Sequence, residues 1–488
     1  MPLKDLKTIE FGNEADFKKA FGEITKLLGK DRVSTDKDIL EIHSTSSFST
    51  HQATPDQRPQ LVVYPSTTEE VSKIMSICYK HSVPVVAFGG GTSLEGHFTP
   101  TRGGVSIDFY NMGEIISILD DDSQAVVQPN VGWEESNEEL ANHNSFFPPD
   151  PGPGAKIGGM VGTSCSGTNA FRFGTVKDWI ISLKVVSADG TVIKTRQRPM
   201  KSSAGYNLTG LFIGAEGTLG LVTEITVKLT PKPDNVSVGV FSFKTIEDSA
   251  KAVAKVVQSG IKPNAMELMD DVAMKCVNHS GETSRIWPEE QTLLFKFSGF
   301  TPRDASEQLK AVERIARAEG CTSVQLAVTP EDVDDSWAAR KHALWAVQAF
   351  GGMNKRVWTT DVAVPISKSP DLVKDTRKDL DDTGLFSAVS GHVGDGNFHA
   401  IIVYEPEKIA IATAAVERMV DRAIALGGTC TGEHGVGLGK RHHLDHELGP
   451  EAVNTMRKIK LALDPKCLLN TDKVIQVDPN DKTILEAN

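Results

Sequence analysis

An α+β chain of more than one domain is predicted by two patterns. In the first half, strands run into glycine-rich turns; from about residue 236, strands alternate with amphipathic helices at the cadence of an antiparallel sheet with long helices on one side. At 488 residues the chain is too long for one compact module and has room for about three units of roughly 150 residues. Apolar residues make up 39% and charged residues 24%, which excludes fibrous and disordered classes. The net charge of −12 removes any general attraction for nucleic acid or an anionic membrane, so an anionic substrate needs a local positive site.

The elements follow in order. LVVY reads as a strand, and Ser66 with Glu69 forms a capping-box pattern before the helical spacing of Val71, Ile74, Met75 and Cys78. VPVVAF completes a β-α-β unit that runs into Gly89, Gly90 and Gly91. Strands continue as VSIDF, AVVQP, SLKVVSA with TVIKT across an Asp189-Gly190 turn, and GLVTEITVKL, ending near Pro231-Lys232-Pro233. Beyond residue 236, strands VGVFSF, AMELMD, TLLFKFSGF, SVQLAV and VWTTDVAVP alternate with helices around SAKAVAKVVQ, ASEQLKAVERIARAE, SWAARKHALWAVQ and 368–382. This region is expected to be ferredoxin-like with a large antiparallel sheet. The last fifty or so residues read as mostly helical, with His442, His443 and His446 of RHHLDHELG on a solvated helix or turn.

Cysteines at 78, 165, 276, 321, 430 and 467 form no CxxC pair, and a reducing compartment is expected. No run of about 18 apolar residues exists, so no transmembrane helix is expected. The start, MPLKDLKTIEFGNEADF, lacks the apolar core of a signal peptide and is too acidic for a typical transit peptide.

Three glycine-rich segments carry a binding signal. GGGTSLEG from Gly89 follows a strand, but Leu94 breaks a GxGxxG fingerprint and His97 stands where a Walker A loop needs lysine. Alone it reads equally well as a turn. PPDPGPGAKIGGMVGTSCSGTNAFRFG presents many backbone N–H and hydroxyl donors with little bulk, and Gly214 to Gly220 again places glycines before a strand. Together they favour a large phosphate-bearing cofactor.

In His392-Val-Gly-Asp395-Gly396-Asn-Phe-His399, a two-residue Asp-Gly loop pairs 392 directly with 399, close enough to share one metal ion. Without further ligands this pair reads equally as an exposed one. Glu433, in TGEHGVG, completes a His₂-carboxylate set with open positions. His434 cannot point the same way in an extended segment and is better suited to act as a base.

These motifs resemble flavoproteins of the vanillyl-alcohol oxidase or PCMH type, in the D-2-hydroxy acid dehydrogenase branch that includes the cytochrome-linked D-lactate dehydrogenases. YPSTTEEV, GGGTSLEG, FPPDPGP, IGGMVGTSCSGTNAFRFGT, FIGAEGTLGLVTE, GHVGDGNFH, TGEHGVG and LALDPKCLLN run in the family order from about residue 58 to 475. RPMKSSAGYNLTGLFIG is most similar to eukaryotic, fungal-type members. The resemblance implies an N-terminal helical segment (1–57), an FAD-binding domain of two α+β subdomains (58–233), a cap domain carrying substrate and metal residues (234–440), and a C-terminal helical segment (441–488) returning to the FAD domain.

It further implies noncovalent FAD, because relatives with covalent flavin have histidine where this chain has Thr92. The matching cofactor positions are Gly89, Gly90, Gly91, Thr92, Ser93 and Leu94, then Pro129, Pro149 and Asp150. Gly158, Gly159, Met160, Thr163, Ser166, Gly167, Thr168, Asn169, Arg172 and Gly174 follow, with Glu216, Gly217, Gly220, Val222 and Asn470. His392, His399 and Glu433 match ligands of a divalent metal, zinc or manganese; His434 matches the catalytic base and Arg340 the substrate-carboxylate arginine.

The implied reaction is oxidation of D-lactate to pyruvate with electrons passed to cytochrome c in the mitochondrion. The branch acting on D-2-hydroxyglutarate has lysine at Thr359 and asparagine near Ile401, and both departures remove grips for a second carboxylate. Other D-2-hydroxy acids remain alternatives, as does a transferase like alkylglycerone-phosphate synthase.

Overall fold

The computed structural model describes residues 1–481 and 483. The chain divides into two compact units, one of Met1–Ser166, Thr175–Pro231 and Glu433–Asn488, the other of Gly167–Gly174 and Lys232–Gly432. No helix among the described residues is long and apolar enough to cross a membrane.

The first unit holds two main sheets. One has the strand order Val33–Ser34, Leu61–Val63, Val105–Asp108, Val85–Phe88, and the last three run parallel. The predicted β-α-β unit is present, but the strand at Val105 lies between the two strands that the helix Thr68–His81 connects. That helix starts one residue later than the capping pattern indicates. Thr67 is the N-cap, its hydroxyl oxygen accepting the Glu70 N–H at 3.2 Å. Glu70 rather than Glu69 reaches back, accepting the Ser66 N–H at 2.7 Å, and the Arg32 guanidinium fork holds its carboxylate there. A cap of this kind contributes about 1 kcal/mol. Val71, Ile74, Met75 and Cys78 form the buried stripe, packed with Ala20 and Ile24 of the helix Glu14–Leu28.

The other sheet is antiparallel, in the order Ile115–Leu119, Gln124–Val127, Leu221–Lys228, Ile180–Val186, Val192–Lys194. Its Asp189-Gly190 turn places Gly190 at φ +92°, where a Cβ would also lie 2.1 Å from Ser76 Oγ of the helix Thr68–His81. Ser72 of that helix donates to the Gly190 carbonyl at 2.5 Å, so one helix ties the two sheets together. After the helix Pro450–Leu463 the chain returns to the first sheet, where Leu469 bridges Val85 in parallel. The RHHLDHELG stretch forms a short 3₁₀ turn and helix, Arg441–His443 and Leu444–Leu448, but is not simply solvated. Arg441 and His443 are buried, and the Arg441 guanidinium turns inward to the Asp472 carbonyl and the Asp481 carboxylate.

The second unit is built on one antiparallel sheet of eight strands. Its main order is Ser323–Ala327, Asn235–Phe243, Gln291–Gly299, Ala265–Met269, Phe386–Gly391, Asn397–Tyr404, Arg356–Thr359, and Val362–Ala363 also pairs with the strand at Asn397. Helices cover both faces of this sheet, not one. Leu309 of the helix Pro302–Ala318 packs over Gly239, and the helices Ile246–Gln258 and Ser369–Thr383 meet Leu268 and Leu293 on the same face. The opposite face carries Met269, Leu294 and Ile401 under the helices Asp271–Ser280, Pro330–Lys341 and Ala343–Gly351. A strand set apolar on both sides, such as TLLFKFSG, requires two covering layers.

Candidate active site

In the first unit the glycine-rich segments converge. The strand Val85–Phe88 delivers Gly89 to Gly91, and Gly91 has φ +65° with a Cβ position only 3.0 Å from the Phe88 ring. A Cβ on Gly90 would lie 2.7 Å from the Gly154 carbonyl, so the first two segments touch. Thr92 is exposed beside Gly154. The second segment becomes the helix Ile157–Thr163, entered as the Gly158 N–H donates to the Pro129 carbonyl at 2.7 Å. Gly158 is packed against Pro129, whereas the Cβ direction of Gly159 meets nothing within 4 Å. Glu216 N–H donates to the Gly162 carbonyl at 2.9 Å, joining the third segment to the second. Asn470 donates to the carbonyls of His97 and Glu216, at 2.9 and 2.6 Å, joining the C-terminal return to both.

Several expected cofactor residues also have structural work. Met160 lies in the apolar core, Val222 packs against it, and a Cβ on Gly220 would sit 2.5 Å from Val185. Pro149 is buried and Asp150 half-buried. Thr163 turns its hydroxyl to the Gly159 carbonyl at 3.2 Å, and Leu94 accepts the Thr50 N–H at 2.8 Å. Ser93 is half-buried. Glu216, at φ +51°, spends its carboxylate on the N–H groups of Val436 and Gly437, at 2.6 and 2.8 Å. Gly167, Thr168, Asn169, Arg172 and Gly174 fall in the second unit, where Arg172 donates to Asn264 Oδ1 at 2.6 Å and to Ser298. The convergence of three pinned, small-residue segments on one end of the parallel strands fits a large phosphate-bearing cofactor.

In the second unit the metal candidate His399 lies on a strand of the sheet and His392 just past the end of its neighbour, while the substrate candidate Arg340 lies on the covering helix Pro330–Lys341. The hairpin carrying the histidines differs from the expected two-residue turn. Ser390, not His392, is the cross-strand partner of His399, and Val393 to Gly396 form a four-residue loop in which Asp395 N–H donates to the His392 carbonyl at 3.0 Å. The register is displaced by two residues, so the pair is diagonal rather than directly opposed. A two-residue displacement keeps both side chains on one face, where a slip of one would separate them. The rings still meet edge to face with centroids 5.4 Å apart.

Both imidazoles are oriented through Nδ1. His399 Nδ1 lies 2.8 Å from the Thr360 carbonyl, which can only accept, so Nδ1 carries the hydrogen and Nε2 the lone pair of the neutral ring. His392 Nδ1 lies 2.8 Å from Glu267 Oε1. These arrangements fit a divalent metal bound through the two Nε2 atoms, since ligand histidines characteristically donate their other N–H to a carbonyl or carboxylate. Glu267 is fully buried, and its second oxygen accepts Arg340 Nε at 2.7 Å. Burial alone would push its carboxyl up, but His392 and Arg340 outweigh that and hold it below the usual range. Removing one partner of such a buried pair costs roughly 3–5 kcal/mol.

The TGEHGVG stretch crosses between units after Gly432. It forms bends rather than an extended segment. Asp361, buried, accepts from the Thr431 hydroxyl, the Gly432 N–H and Asn397 Nδ2 at 2.7, 2.8 and 2.7 Å. Glu433, immediately after, accepts from the Ser166 hydroxyl at 2.6 Å. Glu216 holds Val436 and Gly437, which fixes the backbone just after His434 within the first unit. Glu267 and Asp361 are functional candidates that the sequence reading missed. The available signal was a lone acid within the apolar strand AMELM and another directly before the apolar run VAV.

The first region matches the FAD binding domain model over residues 59–196, and the FAD linked oxidases C-terminal domain model matches 232–474. The chain therefore belongs to the FAD-linked oxidase family, a class of FAD-dependent oxidoreductases. Within that family it is 47% identical over 488 residues to a protein of Kluyveromyces lactis named D-lactate dehydrogenase [cytochrome], mitochondrial, covering 98% of this chain and 85% of the relative. D-lactate dehydrogenase [cytochrome] 1, mitochondrial, of Saccharomyces cerevisiae is 47% identical over 473 residues, covering 95% and 81%. The fold is that of p-cresol methylhydroxylase, whose substrate-bound crystal structure matches with a TM-score of 0.79 at 18% identity, covering 96% of this chain and 99% of that one.

Proposed function

We propose that the chain oxidises D-lactate, or a similar small D-2-hydroxy acid, to the 2-oxo acid, using noncovalent FAD and a divalent cation, zinc or manganese, held by His392, His399 and Glu433. The observation that carries this reading is the buried link Arg340–Glu267–His392, which ties a guanidinium suited to a carboxylate to an imidazole whose orientation suits a metal. When bound, FAD supplies a hydride acceptor for C2 and the cation supplies Lewis acidity at the 2-hydroxyl. Arg340 receives the substrate carboxylate through Nη1 and Nη2, since Nε is spent on Glu267. His434 takes the hydroxyl proton, held in place by a backbone fixed at Val436–Gly437. Thr92, lacking a ring nitrogen, supports a dissociable flavin.

Substrate size is supported by the sheet register. Thr359 and Ile401 are direct cross-strand partners, and Ile401 is buried in the apolar core, so neither offers a cation or amide to a second carboxylate. The names of the yeast relatives support D-lactate as substrate, a cytochrome as electron acceptor, here read as cytochrome c, and a mitochondrial location.

The test is an anaerobic titration with D-lactate, following flavin absorbance before and after chelator treatment. D-lactate should bleach the flavin stoichiometrically, chelation should abolish the bleaching, and zinc or manganese should restore it. Faster dye reduction with D-2-hydroxyglutarate than with D-lactate, at equal subsaturating concentrations, would overturn the substrate assignment.

A further inference from the structure

The strand Ala265–Met269 is apolar except for Glu267, which is 0% exposed. A buried carboxylate needs partners for both oxygens, and here they go to two different residues: Oε1 to His392 Nδ1 at 2.8 Å and Oε2 to Arg340 Nε at 2.7 Å. An ion pair serving only the core would present the guanidinium fork to both oxygens. The fork is instead broken and one oxygen is turned to the imidazole. Sheet register puts it there, because Leu268 pairs with Gly391, and the same register continued by one step sets Glu267 opposite His392.

We infer that Glu267 is a positioning residue that couples the substrate-carboxylate arginine to a metal-ligand imidazole. The inference deepens the metal-dependent reading above and rests on it. Accepting the Nδ1 hydrogen holds the His392 lone pair on Nε2 and makes that nitrogen a better ligand. Accepting from Nε orients Arg340 so that its terminal nitrogens face a carboxylate as a pair. One rigid group thus sets the angle between the two grips on the substrate.

Glu267→Gln separates this role from simple packing. The amide has nearly the same shape but only one acceptor oxygen, so its NH₂ group must face either Arg340 Nε–H or His392 Nδ1–H. Arginine cannot give up its proton; histidine can, by moving it to Nε2, which removes the lone pair a cation needs. In FAD-loaded protein stripped of metal, a chelator-buffered Mn²⁺ or Zn²⁺ titration should show about 10–100-fold weaker binding in Glu267→Gln. KM for D-lactate should rise while the flavin spectrum and circular dichroism stay unchanged.

Wild-type cation affinity in a folded Glu267→Gln protein would overturn the inference while leaving the metal-dependent reading intact. Absence of cation binding in the wild type would overturn both. Should Glu267→Gln not fold, Glu267→Asp carries the test. Its shorter reach cannot serve both partners, so several-fold weaker cation binding is expected, and unchanged binding would be decisive against coupling.

Discussion

At the scale of single residues, His434 owes its candidacy to what holds its neighbours. Within the first unit, the Glu433 carboxylate is tied to the Ser166 hydroxyl, and the Val436 and Gly437 N–H groups to Glu216, so the residue between them stands on a backbone with little freedom to reorganise. On the proposed reading, His434→Ala should lower kcat by about 10²–10⁴-fold, the usual worth of a positioned general base. Flavin absorbance should be retained, since this side chain is not part of the glycine-rich segments. Steady-state turnover with D-lactate measures it, and wild-type kcat would remove His434 from the mechanism. The histidines and Glu433 stand out in the sequence as candidates because glycines flank them. Glu267 and Asp361 do not, because their meaning depends on which strands become neighbours: Glu267 finds His392 125 residues away and Asp361 finds Gly432 71 residues away.

At the scale of elements, hydrophobic periodicity located the strands and helices, and local polar contacts shifted their ends. Arg32 drawing Glu70 over the helix start moved the cap from Ser66 to Thr67, and a four-residue loop replaced the Asp-Gly turn between the histidines. Neither partner is visible in the residues that form the turn or cap. Asp270 shows how one residue can join two elements: it caps the helix Asp271–Ser280 by accepting the Ala273 N–H at 2.8 Å and accepts Val389 N–H of the neighbouring strand at 2.9 Å. Burial pushes its carboxyl up to about 7, against the pull of those N–H groups and of Arg377 at 3.6 Å. A carboxyl whose folded pKa lies above its unfolded 3.8 contributes stability that is fully present below 3.8 and lost as pH rises through about 7. The stability advantage of the wild type over Asp270→Asn should therefore shrink between pH 4 and 7 and level off above. Thermal melts of both proteins across that range measure it. An advantage that instead grows with pH would mean that the hydrogen bonds and Arg377 outweigh burial.

At the scale of the whole molecule, composition set limits that the structure fills in. The glycine excess is spent where backbones must approach: at Gly90 against Gly154, at Gly158 against Pro129, and at Gly190 against the helix carrying Ser72 and Ser76. The cysteines are distributed by the opposite principle, each placed in packed surroundings rather than in pairs. All six are free thiols; Cys78, Cys165, Cys276, Cys430 and Cys467 are buried, and Cys321 is partly exposed. Burial pushes the thiols of Cys78 and Cys276 up to about 12 and that of Cys467 up to about 11. Burial, with Glu433 and Asp150 adding to it, pushes Cys165 well up. The thiolate is the reacting form, so a buried thiol with a raised pKa lacks both access and charge at pH 8. Cys321 is also raised, mainly by burial, and its thiol donates to the Ser323 carbonyl at 2.9 Å, so even the accessible one reacts slowly. Native protein titrated with an aromatic disulfide reagent at pH 8 should release no more than one equivalent of thiolate on the timescale of mixing, and all six after denaturation. Two or more fast equivalents would show that one of the packed cores opens readily. Peptide mapping of the labelled cysteine would then locate the opening, because Cys78, Cys165 and Cys467 lie in the first unit and Cys276 and Cys430 in the second.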